Sequence, residues 1–186
     1  MSGFLLDTNI PSELIRARPE PRVGNWVYSQ DEQSLYLSAV SIGELRRGFV
    51  ILPASKRRTE LEQWFENDPV PRFRGRILPV TYFIADRWGV LGGECQLRGS
   101  PLNTADGMIA ATALEHDLTI VTRNVKDFAG LEVLAHLPGD VQRAIHQQTG
   151  TEWPPGRELL GLDDLPGRTG ASRPKQHQHN RGLQFR

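Results

Sequence analysis

Disulfide chemistry is excluded at once: the chain of 186 residues holds a single cysteine, Cys95, which can close no internal bridge and supplies no metal-ligand spacing. A small residue buried in a helix is its natural reading, and a reducing cytoplasm its natural setting. Long apolar runs are missing too. The longest are of the kind seen at residues 49–52, against roughly 20 for a membrane span and about 7–15 for the core of a secretory signal, so no membrane association is expected. There is no net charge, since 22 Lys and Arg balance 22 Asp and Glu, and contacts to a polyanion would have to come from local patches. No glycine-rich phosphate loop occurs, and no Ser or Cys sits in a nucleophile motif, so nucleotide-driven and covalent hydrolase mechanisms lack support.

What is present suits one folded domain with an appendage. Hydrophobic residues make up 38% and charged residues 24%, enough apolar material for a core and too little bias for global disorder. Short apolar runs alternate with helical patterns. Residues 4–6 end in Asp7 and lead into Thr8, Asn9 and an early Pro11, a strand feeding a helix; residues 35–37 do the same before Ser41 and Glu44, which have capping-box spacing. Residues 55–67 read as an amphipathic helix, 76–80 as a strand and 82–97 as a longer helix. Asn103 caps a small-residue helix over 104–115, the β-branched run 118–122 is a strand, and a last short strand falls near 131–134. Such alternation predicts an α/β fold: a parallel sheet of four to five strands with helices on both faces.

The expected domain ends near residue 137. Residues 138–186 form an extension with one possible helix at 141–147, largely disordered after about 161. The extension is basic at its end, with Arg168, Arg173, Lys175, Arg181 and Arg186 and no acid among them. His177 and His179 in that segment are read as incidental.

In an open parallel sheet, ligands bind beyond the carboxyl ends of the strands. Asp7 closes the first strand, Glu44 opens the helix after the second, Asp106 lies in the first turn of a helix starting at the same rim, and Asp127 follows the strand ending at Thr122. Singly, such acids are explained by helix dipoles, caps and surface turns. Together at one rim they repel one another unless a cation lies between them, and an all-oxygen set without His or Cys favours Mg²⁺ or Mn²⁺ over Zn²⁺.

At these residues the chain resembles the PIN-domain nucleases, in particular the VapC-type toxins of bacterial toxin–antitoxin pairs. The resemblance covers roughly residues 3–135 and rests on four segments in order: Leu5-Leu6-Asp7-Thr8-Asn9, Ser41-Ile42-Gly43-Glu44-Leu45, Asn103-Thr104-Ala105-Asp106-Gly107 and Thr122-Arg123-Asn124-Val125-Lys126-Asp127-Phe128. It implies a PIN-like fold and a Mg²⁺- or Mn²⁺-dependent endoribonuclease in which Asp7, Glu44, Asp106 and Asp127 hold the metal and carry catalysis. Thr8, Asn9, Thr122 and Asn124 would orient those acids or the substrate. The implied partners are RNA, an antitoxin that blocks the site, and a second copy of the chain or a mixed assembly with the antitoxin. The alternatives are a PIN-type RNA-processing nuclease that is not a toxin, or a non-catalytic metal-binding interaction module. Such toxins commonly end soon after the last strand, whereas this chain runs on past Leu134. Arg46 and Arg47, and the run Lys56-Arg57-Arg58, are candidate phosphate contacts or solvated helix faces. Trp26, Trp64 and Trp88 are read as packing residues.

Overall fold

The computed structural model describes residues 3–131 and 135–136. Strand β1 (Phe4–Leu6) leads into helix α1 (Asn9–Leu14) and helix α2 (Pro21–Ser29), then a 3-10 turn (Glu32–Ser34), strand β2 (Leu35–Ser38) and helix α3 (Ala39–Val50). Helix α4 (Lys56–Asn67), the single turn α5 (Pro69–Arg72), strand β3 (Ile77–Leu78), helices α6 (Tyr82–Leu97) and α7 (Thr104–Glu115), strand β4 (Thr119–Val121), a 3-10 turn (Val125–Phe128) and strand β5 (Ala135–His136) complete it. The sheet has five strands in the order β3-β2-β1-β4-β5, and every pairing is parallel.

Period-two alternation along the short strands divides the core between the two faces of the sheet. Phe4, Leu6, Leu35, Leu37 and Val121 point to one face and pack on Ile10 of α1, Val23, Trp26 and Val27 of α2, and Phe73. Leu5 and Ile120 point to the other, against Ile84 and Leu91 of α6 and Ile109 to Ala113 of α7. A third cluster, Leu45, Phe49, Leu61 and Phe65, joins α3 to α4. Helices therefore cover both faces, as the alternation of elements predicts.

Close approach of α6 and α7 depends on Gly107. A Cβ there would lie 2.7 Å from Trp88 Cδ1 and 2.8 Å from Leu102 Cδ2, nearer than side-chain atoms pack.

Several boundaries differ from those the sequence suggests. Helix α3 starts two residues before Ser41: Ser38 is its cap, its Oγ accepting the Ser41 N–H at 2.9 Å. Glu44 thus sits in the second turn, and the capping box expected from Ser41 does not form. Helix α2 was not anticipated, although Pro21 at its first position and the spacing of Val23, Trp26 and Val27 are helical signals. Strand β3 is shorter than residues 76–80, and the last strand pairs at Ala135–His136 rather than at 131–134, of which 132–134 lie outside the described residues. The expected helix at 141–147, the disorder after about 161, the basic tail, and His177 and His179 all fall outside the described residues. Among the described residues no helix is long and apolar enough to cross a membrane.

Candidate active site

From β1 the chain steps outward to β2 and β3, whereas β4 lies on the other side of β1. The crevice at such a reversal of direction opens beyond the carboxyl ends of the two central strands, and there β1 delivers Asp7 and β4 delivers Thr122. Asp7 is only 5% exposed and its carboxylate is fixed: Oδ2 accepts from Asn9 Nδ2 at 2.5 Å and from Thr122 Oγ1 at 2.6 Å. The same Thr122 hydroxyl accepts from Asn9 Nδ2 and from the Asn124 N–H, each at 2.9 Å. One buried threonine thus ties the Asp7 rotamer to the loop that follows β4.

The remaining acids arrive from separate elements. Thr8 stands at the N-terminus of α1 without capping it; its hydroxyl instead donates to Glu44 Oε2 of α3 at 2.6 Å. Asp106 lies in the first turn of α7, where Asn103 Oδ1 accepts the Ala105 N–H at 2.8 Å and supplies the cap. Asp127 is in the 3-10 turn after β4, with Asn124 Nδ2 donating to its Oδ2. Asp7, Thr8, Asn9, Glu44, Asp106, Asn124 and Asp127 all line one open cleft of about 290 Å³, so these seven predicted residues converge, with Thr122 buried directly beneath.

The electrostatics follow from that convergence. Burial pushes the Asp7 carboxyl above its ordinary value; hydrogen bonds from Thr122 and the Thr8 backbone pull the other way, and Glu44 and Asp127 push it up again. Asp106 is raised to about 6, first by burial and then by Asp127, Asp7 and Glu44. Among the described residues none of the four acids is in an ion pair, so the cleft holds mutually repelling carboxyls. They do not form a closed cage, since no three described acid, His or Cys side chains are gathered tightly enough to hold an ion by themselves. An oxygen-only, open set of this kind suits a cation that keeps several of its waters.

Sequence reasoning missed four residues. Ser12, Arg16 and Arg123 also line the cleft, and behind them Glu13, 2% exposed, pairs with both arginines. The available signal was Glu13 one turn beyond Asn9 on α1, an acid beside apolar residues with Arg16 at i,i+3 spacing; its second partner, Arg123, is distant in sequence. The other cations named from the sequence lie elsewhere. Arg46 pairs with Glu66 and stacks over Phe65 with its guanidinium 4.3 Å from the ring centre, and neither it nor Arg47 lines the cleft. Arg57 donates to the Ile15 carbonyl and Arg58 to Glu62. Trp26 is buried against Phe4, and Trp64 packs edge-on to Phe49 while its Nε1 donates to Asp68. Trp88 packs beside α7.

Comparison with known proteins agrees with this architecture. The chain is 38% identical over 133 residues to the VapC ribonuclease Y4jK of Sinorhizobium fredii, covering 70% of this chain and 95% of that one. It is 37% identical over 135 residues to toxin FitB of Neisseria gonorrhoeae, covering 73% and 97%. The crystal structure of FitAcB from the same bacterium superposes with a TM-score of 0.68 at 37% identity, over 73% of this chain and 97% of that one. A structure of FitAB bound to an IR36 DNA fragment gives 0.69 at 35% identity, over 73% and 95%. The PIN domain matches residues 4–133, a span that contains all four acids and every strand but the last; the chain belongs to the PIN-domain family.

Proposed function

We propose that this chain is a Mg²⁺- or Mn²⁺-dependent endoribonuclease and the toxin of a toxin–antitoxin pair. The observation that carries the reading is the convergence of Asp7, Glu44, Asp106 and Asp127 on one cleft in a chain this similar to a VapC ribonuclease. Asp7 and Asp106, assisted by Glu44 and Asp127, would hold the cation. Bound there, it would supply positive charge that acidifies a water and offsets charge on the phosphodiester and its leaving oxygen.

The chain's own residues contribute orientation. Thr122 and Asn9 fix Asp7, Thr8 fixes Glu44 and Asn124 fixes Asp127, so three of the acids are held in place before substrate arrives and need little reordering. A protein partner that covers the cleft is part of this reading, supported by the similarity to toxin FitB, and so is assembly as a homodimer or with that antitoxin. The nuclease core is proposed as residues 1–137, with 138–186 an extension.

Incubation of the purified full-length protein with a mixed RNA pool in Mg²⁺, Mn²⁺ or EDTA tests the activity. Cleavage with either ion, and none in EDTA or with Asp7→Asn, is expected. Intact RNA under every metal condition, or cutting that persists in EDTA, would overturn it. Growth arrest on expression, relieved by Asp7→Asn, is the corresponding result in cells.

A further inference from the structure

The cleft carries a second cluster that metal binding leaves unexplained. Glu13 is buried on α1, and its Oε2 takes two arginines: Arg16 Nη1 at 3.1 Å and Arg123 Nη1, which donates to the same atom. Its Oε1 accepts the Glu20 N–H at 2.9 Å. One carboxylate against two guanidiniums leaves an excess positive charge, set on the wall of an otherwise acidic cleft. A guanidinium has five N–H donors, and the Arg16 and Arg123 side chains are 59% and 38% exposed, so each keeps donors for a ligand. Arg123 is also held at its backbone: its N–H donates to Asn9 Oδ1 at 3.0 Å, and Asn9 Nδ2 donates to Asp7. A single side chain thus links the position of this guanidinium to that of the metal-site carboxylate.

We propose that Arg16 and Arg123 form a phosphate clamp beside the acidic site, gripping an RNA backbone phosphate next to the one that is cut, with Glu13 as the residue that positions them. The proposal rests on the nuclease reading above. A planar guanidinium matches phosphate oxygens in pairs, and tethering it to a buried carboxylate removes rotamer freedom that a free arginine would lose on binding. The clamp gives a polyanion a cationic foothold in a cleft whose other charges repel it.

Fluorescence anisotropy with a short single-stranded RNA, on the full-length protein in EDTA and across a salt series, reads the clamp without cleavage. Arg123→Ala is expected to weaken binding about tenfold, as for loss of a hydrogen bond to a charged group, and to lower the salt slope by about 0.7, as for one single-strand phosphate contact. Arg16→Ala acts in the same direction. Glu13→Gln keeps the acceptor for Glu20 but releases the anchor of both guanidiniums, so despite the added net positive charge the loss of positioning should raise the Kd, and with Mn²⁺ raise KM with kcat near wild type. Arg123→Lys should restore part of the affinity. If both alanine variants melt like wild type and bind RNA with unchanged Kd and salt slope, the clamp does not exist. If Glu13→Gln lowers the melting temperature while Kd and KM stay at wild-type values, Glu13 is structural and the proposal falls. A wild type that binds RNA through Arg123 but cuts nothing in either Mg²⁺ or Mn²⁺ would sink the nuclease reading and leave the clamp standing.

Discussion

Replacing Asp106 by Asn should make the metal-free protein more stable at neutral pH and leave it unchanged near pH 4. The Asp106 carboxyl is raised from an ordinary 3.8 to about 6, by burial first and then by Asp127, Asp7 and Glu44. Between those two values the folded state binds more protons than the unfolded one. The stabilisation is therefore complete below the unfolded value and is lost as pH rises through the folded one, after which the loss is constant. At about 1.36 kcal/mol per pKa unit the ceiling is about 3 kcal/mol, and solvent screening of a half-buried group reduces it to about 1 kcal/mol. For a domain of this size that is about 3–5 °C in melting temperature. Asp7 is raised as well, so Asp7→Asn/Asp106→Asn should widen the difference. The assay is calorimetric melting of wild type and variant in EDTA from pH 4 to pH 8, taken as a difference so that the other carboxyls cancel. The difference should be near zero at pH 4, grow to about pH 6 and then level off. A difference independent of pH, or of opposite sign, would refute the reasoning. Added Mn²⁺ should reverse the order at neutral pH, because an ion at a hundredfold excess over its Kd stabilises the wild type by about 2.7 kcal/mol while the double variant has lost the site.

Other expectations follow from single contacts. Asp7→Asn and Asp106→Asn should each abolish RNA cleavage while circular dichroism stays that of the wild type; a folded, active Asp7→Asn protein would show that the chemistry lies elsewhere. Thr122→Val removes a fully buried hydroxyl that donates to Asp7 and accepts from Asn9 and Asn124, so denaturant melts should show a loss of about 2–4 kcal/mol, with a fall in kcat. Gly107→Ala forces Trp88 and Leu102 to move, an overpacking cost of about 1–3 kcal/mol; a stabilised variant would contradict the tight α6–α7 contact. Truncation after Gly161 should preserve melting temperature and nuclease activity, since the family match ends at residue 133; a large fall in melting temperature would place structural residues in the removed segment.

Local signals carried the sequence reading a long way. Short apolar strands, each followed by a helical pattern, identify a parallel α/β fold because a strand buried on both faces must be apolar throughout and must be joined to its parallel neighbour by a crossover. Asn103 as the cap of α7, and Asp7, Asp106 and Asp127 at one rim, were legible because helix starts and strand ends obey short-range rules, whereas Glu44 reaches the same rim from the second turn of α3.

What only the tertiary structure decided were the pairings between residues distant in the chain. Ser41 has capping-box spacing, yet Ser38 caps α3; Thr8 stands at the start of α1, but its hydroxyl turns to the half-buried Glu44, since a carboxylate set beside other acids demands a donor more than the α1 terminus does. Arg46 lies two residues after Glu44 but turns to Phe65 and Glu66, because side chains two positions apart on a helix point in different directions. Arg16 reaches Glu13 at ordinary i,i+3 spacing, but Arg123 meets it for the converse reason: β4 lies beside β1 in the sheet, so the loop after one strand reaches the helix after the other, and no spacing along the chain encodes that pairing.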